Sequence, residues 1–224
     1  MPIIKMTTIT IRKFQKEDLP EIEDVCYRTG FMGEGLDGKD LFNDKRLFAL
    51  LFNLYYALHE PENYFVPFDT QNNKVAGYIC GTTDTSTQEK QFTRKIVPRI
   101  LLRSLLYTSW RYPESFRILL TMAKSSRQFT DQEMDQIKQA YPAHLHIDIL
   151  PEYQRMGLGT RLMETFETHL QDQGVKGLHL GTSNQNYKAI PFYEKHGYKI
   201  VREVPTQFWP GVENLKTLFF AKHL

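Results

Sequence analysis

His144-Leu145-His146-Ile147-Asp148-Ile149-Leu150-Pro151-Glu152-Tyr153-Gln154-Arg155-Met156-Gly157-Leu158-Gly159 is the stretch on which the fold turns. An apolar, β-branched run stops at Pro151, and a turn carrying Gln154, Arg155, Gly157 and Gly159 opens a sequence with helical periodicity. The reading is strand, phosphate-sized loop, helix. The first turn of a helix leaves backbone N–H groups without partners at a positive dipole end, so an anionic group is welcome there. Gly157 and Gly159 remove two Cβ atoms from the approach and allow dihedrals that other residues avoid. A P-loop would need Gly-Lys-Ser/Thr after the glycines, and a dinucleotide fold would need Gly-x-Gly-x-x-Gly; neither is present.

Downstream, Leu158, Leu162, Phe166 and Leu170 recur at fourfold spacing, predicting a helix packed on a sheet and closed by Gly174. Gly177 to Thr182 reads as the next strand, parallel at its start to the first because a helix crosses over between them. A further helix begins near Lys188, capped by Asn186 and ended by Gly197, which makes Pro191 tolerable near its start. Tyr198 to Glu203 and Leu215 to Lys222 predict two closing strands.

Upstream, Thr8 to Phe14 alternates as a strand, and Leu19, Ile22, Val25 and Cys26 share the face of a helix that stops before Gly30. Phe31 to Asp40 is a glycine-rich loop, and Lys45 to Leu58 reads as one apolar helix. Tyr64 to Phe68 and Val75 to Thr82 predict two strands joined through Gln71-Asn72-Asn73. The segment from 84 to about 142 reads as a helical insertion with a basic flavour and an aromatic cluster of Tyr107, Trp110, Tyr112 and Phe116. Aromatics at helical spacing predict a cap that buries them; a lid or an acceptor platform is the alternative.

Composition bounds the rest. The chain has 224 residues, 24% charged and 41% hydrophobic, which suits one globular domain. A net charge of +2 does not predict a nucleic-acid partner. Cys26 and Cys80 lie far apart without histidine spacing, so buried free thiols are expected rather than zinc or a disulfide. No metal site is expected. The N-terminus lacks a long apolar run and no stretch approaches about 18 apolar residues, so a cytoplasmic or nuclear protein with no membrane partner is expected.

Gln154-x-x-Gly157-x-Gly159, with Leu150-Pro151-Glu152-Tyr153 before it and a helix after, resembles the acetyl-coenzyme A loop of the GNAT acetyltransferase superfamily. A second block, Asn186-x-x-Ala189-x-x-Phe192-Tyr193-Glu194-Lys195-x-Gly197-Tyr198, resembles the family's other motif. The resemblance implies one domain over 1–224: an α/β (α+β) GNAT fold whose central mixed, mostly antiparallel sheet is splayed at the acetyl-CoA site and flanked by helices, with the insertion preceding the strand of the loop. It implies an N-acetyltransferase in which a primary amine attacks the thioester of acetyl-CoA directly. Main-chain groups of Ile149 and Leu150 would pair with the pantetheine arm, which Asn186 would touch, while Gln154, Arg155, Met156, Gly157, Leu158, Gly159 and Thr160 would hold the pyrophosphate. Tyr193 would protonate the leaving thiolate.

Asp148 is the first candidate for the base, because a carboxylate inside an apolar strand is costly unless it is paired or faces a cleft; Glu152 and His146 stand behind it. A structural hydrogen bond would explain Asp148 equally well. The acceptor, a small amine or a protein lysine or N-terminus, is open, and the resemblance makes Phe31 to Asp40 a candidate specificity loop. Because the extra segments could cover a groove, they favour a small, enclosed acceptor. The alternative function is a CoA-binding scaffolding module without transferase activity. His144 to Gln154, with Gly81-Thr82-Thr83-Asp84-Thr85 before the insertion, resembles most the acetyltransferase-like domain of O-GlcNAcases. No glycosidase portion lies in these residues, so hydrolase activity is not implied.

Overall fold

The computed structural model describes residues 9–224, so Thr8 of the first expected strand lies outside the described residues. β1 (Ile9–Lys13) leads through α1 (Leu19–Thr29), α2 (Lys45–Phe52) and α3 (Leu54–His59) to β2 (Tyr64–Asp69), β3 (Lys74–Val75) and β4 (Gly77–Thr82). The insertion comprises α4 (Thr85–Lys95), α5 (Val97–Arg103), a π turn at Ser104–Thr108, α6 (Ser109–Arg111), α7 (Pro113–Ser126) and α8 (Gln132–Ala140). β5 (Ala143–Ile149), α9 (Leu158–Asp172), β6 (Gly177–Ser183), α10 (Ala189–Lys195), β7 (Lys199–Pro205) and β8 (Lys216–His223) follow. The sheet runs β1-β2-β4-β5-β6-β8-β7, with β3 on β2.

Every pairing is antiparallel except that of β5 with β6, the two strands joined by a crossover helix. That parallel pair holds only at Ala143↔Leu178 and His144↔His179. Beyond His144, β5 stays on β4 out to Gly77↔Ile149, while β6 stays on β8 out to Ser183↔Thr217. The sheet therefore opens into a V, and unpaired β5 backbone faces the gap.

Alternation along β5 sorts its two faces. Leu145 packs with Leu162, Met163 and Phe166 of α9 and Ile147 leans on the same cluster, so the fourfold leucine and phenylalanine spacing does bury one helix face. Each such side chain contributes about 1.5–3 kcal/mol as an upper value. On the opposite face His144, His146 and Asp148 lie in register with Thr82, Cys80 and Tyr78 of β4. α1 and α3 cover that side through Val25, Cys26, Tyr55 and Tyr56. Both cysteines are free and buried, as expected.

Two expected elements are interrupted. The helix expected over Lys45 to Leu58 breaks at Asn53, whose φ of −133° is not helical. Its side-chain amide exchanges two hydrogen bonds with the Tyr64 hydroxyl, at 2.8 and 3.1 Å. A tertiary contact there outweighs local propensity. The strand expected over Val75 to Thr82 splits at Ala76, whose N–H donates to Pro67 O and whose carbonyl accepts from Leu150 N.

The insertion is pinned by buried Asp44. It caps α2 through Leu47 N and accepts from Arg103 Nε and Nη2 and from the Thr108 hydroxyl. Buried Ile118 and Met122 of α7 join the core made by α1–α3. Trp110, expected inside the cap, is instead 67% exposed.

Candidate active site

Two clefts open into the V. The first, of about 490 Å³, lies between the end of β5, the start of α9 and α10. The second, of about 450 Å³, lies between β5, β6, the end of α1, the α1–α2 loop and the insertion. They share Thr29, Gly33, Ile147, Asp148, Asn186 and Tyr193, so they meet where the two strands separate.

The floor of the first cleft is the start of α9. α2, α4 and α8 are capped by Asp44, Asp84 and Asp131, whereas α9 begins at Gly157 with no side-chain cap. Its first-turn N–H groups are left for an anion. The loop before it contains two left-handed residues, Arg155 at φ +64° and Gly157 at φ +75°, a geometry that turns backbone N–H groups to one side. The two glycines serve differently. A Cβ at Gly157 would meet nothing within 4 Å, so that position is glycine for its φ, whereas a Cβ at Gly159 would lie 3.1 Å from the Phe192 ring. Gly159 thus lets α9 start against α10. His196 ties the same two helices, with Nδ1 on Phe192 O at 2.7 Å and Nε2 on the Thr160 hydroxyl at 3.1 Å.

Of the residues expected to bind the cofactor, Ile149, Gln154, Arg155, Gly157, Leu158, Gly159, Thr160 and Asn186 line this cleft. Leu150 and Met156 do not. Leu150 is 1% exposed; its N–H donates to Ala76 O and its carbonyl accepts from Tyr153 N, so its main chain is already spent. Met156 points outward, 47% exposed. Gln154 reaches back to donate its Nε2 to Ile149 O at 3.0 Å, holding the loop onto the strand end. Asn186 is held loosely, with Ala189 N donating to Oδ1 at 3.3 Å and Nδ2 facing the Thr182 hydroxyl at 3.4 Å, which leaves amide capacity toward the cleft.

Asp148 and Tyr193 both line the junction of the two clefts. Burial pushes the Asp148 carboxyl up to about 6, with the hydrogen bond from Tyr78 and the polar Thr29 side chain acting in the opposite direction. The Tyr78 hydroxyl donates to Asp148 Oδ2 at 2.5 Å. Burial and then the Asp148 charge raise the Tyr193 phenol far above its ordinary value, so it stays protonated. The Tyr193 hydroxyl makes no hydrogen bond to another side chain among the described residues, and its ring packs on Tyr198 and Phe220. The junction of the two clefts is therefore lined by a carboxyl raised toward neutrality and by a phenol held protonated, groups of the kind that accept and donate protons.

The other base candidates separate cleanly. His146 lines the second cleft, and burial lowers it to about 4, keeping the ring neutral. Glu152 lines neither cleft; it pairs with Arg28 and Lys74 on the surface. Of the expected specificity loop, Met32 and Gly33 reach the second cleft, and a Cβ at Gly33 would lie 2.9 Å from Asn186 Oδ1.

Sequence reasoning did not single out Thr29 and Lys188, which line the first cleft, nor Phe208 and Trp209, which line the second. Lys188 sits inside the quoted Asn186 block and could have been read as a cation near an anionic ligand. Thr29 reaches the site from α1 and carries no local signal.

Residues 131–198 match the acetyltransferase (GNAT) family, a span that contains both the α9 loop and Tyr193. The chain is 33% identical over 67 residues to YjcF of Bacillus subtilis, described as an uncharacterized N-acetyltransferase, a stretch covering 30% of this chain and 46% of that protein. It is 39% identical over 46 residues to YxbD of the same organism, covering 20% and 29%. The chain thus spans less than half the length of these curated relatives. Among solved structures, SsHAT superposes with a TM-score of 0.75 at 28% identity, covering 96% of this chain and 98% of that one. The fold is also that of yncA from Salmonella typhimurium, solved with its cofactor acetyl-CoA, with a TM-score of 0.54 at 17% identity over 97% and 94% of the chains. Residues 131–198, which carry the uncapped α9 loop and border the splayed β5–β6 pair, are thus similar to the GNAT acetyltransferase family, and the chain as a whole shares the fold of SsHAT and yncA.

Proposed function

We propose that these residues form one acetyl-CoA-dependent N-acetyltransferase domain that works in the cytosol or nucleus. The observation that carries the reading is the meeting of two clefts at Asp148, Tyr193, Asn186 and Thr29. The first cleft suits the donor. Backbone N–H groups of Gly157 to Thr160, with Arg155 and Lys188 nearby, would hold its pyrophosphate, and Asn186 and the unpaired end of β5 would hold its pantetheine arm. Its thioester would then reach the junction.

The second cleft suits the acceptor. Asp148 takes a proton from the incoming ammonium, the neutral amine attacks the thioester carbonyl, Tyr193 gives its proton to the departing thiolate, and the second nitrogen proton, released as the amide forms, restores the Tyr193 phenol. Phe48, Phe52, Phe208 and Trp209 give this cleft apolar walls, with the Glu89–Lys138 pair also on its lining, which supports a small primary amine on an apolar body rather than an extended peptide. Within the superfamily, the match of His144 to Gln154 and Gly81 to Thr85 supports a place nearest the acetyltransferase-like domain of O-GlcNAcases.

A thiol-release screen over primary amines near pH 8 tests the reading. Turnover with an apolar small amine is expected. Acetyl-CoA binding without turnover on any amine would favour the scaffolding alternative, and absence of binding would overturn both.

A further inference from the structure

Outside the clefts, one face of the insertion is built against the usual logic of a soluble surface. Leu101 and Leu102 of α5, Leu105 and Leu106 of the π turn, Trp110 of α6 and Leu120 of α7 are each 56–68% exposed. Their neighbours on the inner side, Ile100, Ser104 and Thr108, are buried at fourfold spacing, so the helical run has a covered stripe and a bare apolar one. α5 carries the exposed pair Leu101/Leu102 and the π turn that continues it the exposed pair Leu105/Leu106. Trp110 spends its indole N–H on Leu106 O at 2.9 Å, so its ring needs no further polar partner.

Positive charge is concentrated in the same segment of the chain. From Arg94 to Arg127 the chain has eight basic residues and one acidic residue, a local +7 in a protein whose total is +2. Arg103 pairs with Asp44 and Arg117 with Glu114. Arg94, Lys95, Arg99, Arg111, Lys124 and Arg127 are exposed and make no ion pair among the described residues.

We propose that this face docks on an anionic phospholipid surface. No described helix is long and apolar enough to cross a membrane, and lying on one is a different physical arrangement. The combination selects the occupant. A second copy meeting the same face would set one strongly positive surface against another. Side chains this exposed stand proud of the surface, and a ridge of leucines needs a groove in a protein partner but only the headgroup boundary in a bilayer. Nucleic acid would satisfy the arginines and leave the leucines against phosphate. Anionic headgroups pair with the basic flank, while the leucines enter the acyl boundary and Trp110 sits at the interface.

The test is co-sedimentation of the full chain with phosphatidylcholine vesicles, with and without about 30% phosphatidylserine. The proposal expects binding to the anionic vesicles, a blue shift of Trp110 emission that Trp110→Phe removes, and a loss of at least about tenfold in affinity between about 0.05 and 0.3 M salt. Leu105→Ser/Leu106→Ser, both exposed positions, should weaken binding about tenfold or more with the melting temperature unchanged. Absence of binding, or equal binding by the double variant, overturns the proposal. So does self-association that the double variant abolishes, or salt-sensitive binding to DNA or polyglutamate that survives loss of the leucines.

Discussion

Asp148→Asn should make the protein more stable near neutral pH while removing its proposed activity. Burial raises the Asp148 carboxyl from 3.8 to about 6, so the folded state holds its proton more tightly than the unfolded chain does. Below pH 3.8 both states are protonated and the carboxyl costs nothing in charge. Between 3.8 and about 6 the unfolded state ionises first and stability falls; above about 6 the penalty is complete. Its full size is about 3 kcal/mol, from 1.36 kcal/mol for each pH unit by which the two states differ. Asparagine keeps the shape and a hydrogen-bonding oxygen for Tyr78 but cannot ionise. Part of the gain is lost because the amide replaces one carboxylate oxygen with a donor, so about 1–3 kcal/mol at pH 7.5 is expected. For a domain of this size that is a rise of roughly 3–10 °C in Tm. Urea or thermal unfolding of both proteins at a series of pH values gives the difference directly. The expected signature is a difference that is small at pH 4 and grows to a plateau above pH 6 to 7. A constant difference, or a variant less stable at pH 7.5, would mean that Asp148 is a satisfied structural carboxylate and would refute its assignment as a poised base.

Two further perturbations address the remaining parts of the site. Tyr193→Phe should lower kcat by about 10²-fold or more and leave KM for acetyl-CoA within about twofold, since only the leaving-group proton is removed; a rate within threefold of the parent sinks the assignment. Gly157→Ala forces a Cβ onto φ +75° with open space around it, so about 1 kcal/mol of strain should appear as weaker acetyl-CoA binding by calorimetry, with the cleft otherwise unchanged. Unaltered affinity would show that the loop's left-handed turn does not position the anion site.

The β5–α9 junction was legible because it changes period abruptly, from alternation to fourfold spacing, with glycines at the change. Gly157 and Gly159, and from the later block Asn186 and Tyr193, all line the cleft that this junction borders. The sequence sets the main chain of Leu150 toward the pantetheine arm, whereas in the structure its N–H donates to Ala76 O, where β3 and β4 separate. The break at Asn53 depends on Tyr64, and Thr29 reaches Asp148 from α1; neither contact leaves a trace in neighbouring residues. Trp110 shows a different limit. Periodicity divides a helix into two faces but cannot say which is covered, and here the leucine-rich face is the bare one.

The placement of Asp148 beside Tyr193 also bears on the order of proton movements in the proposed reaction. Tyr193 is held protonated first by burial and then by the Asp148 charge. While Asp148 is ionised and ready to accept a proton, Tyr193 is therefore at its weakest as an acid and does not release its own. Once Asp148 has taken the ammonium proton, its charge is gone and that contribution to the Tyr193 shift disappears, so the phenol becomes a stronger acid just as the amine reaches the carbonyl and charge moves onto the sulfur. In the proposed reaction the splay of β5 from β6 past His144 would let donor and acceptor reach this junction from the two clefts that meet there.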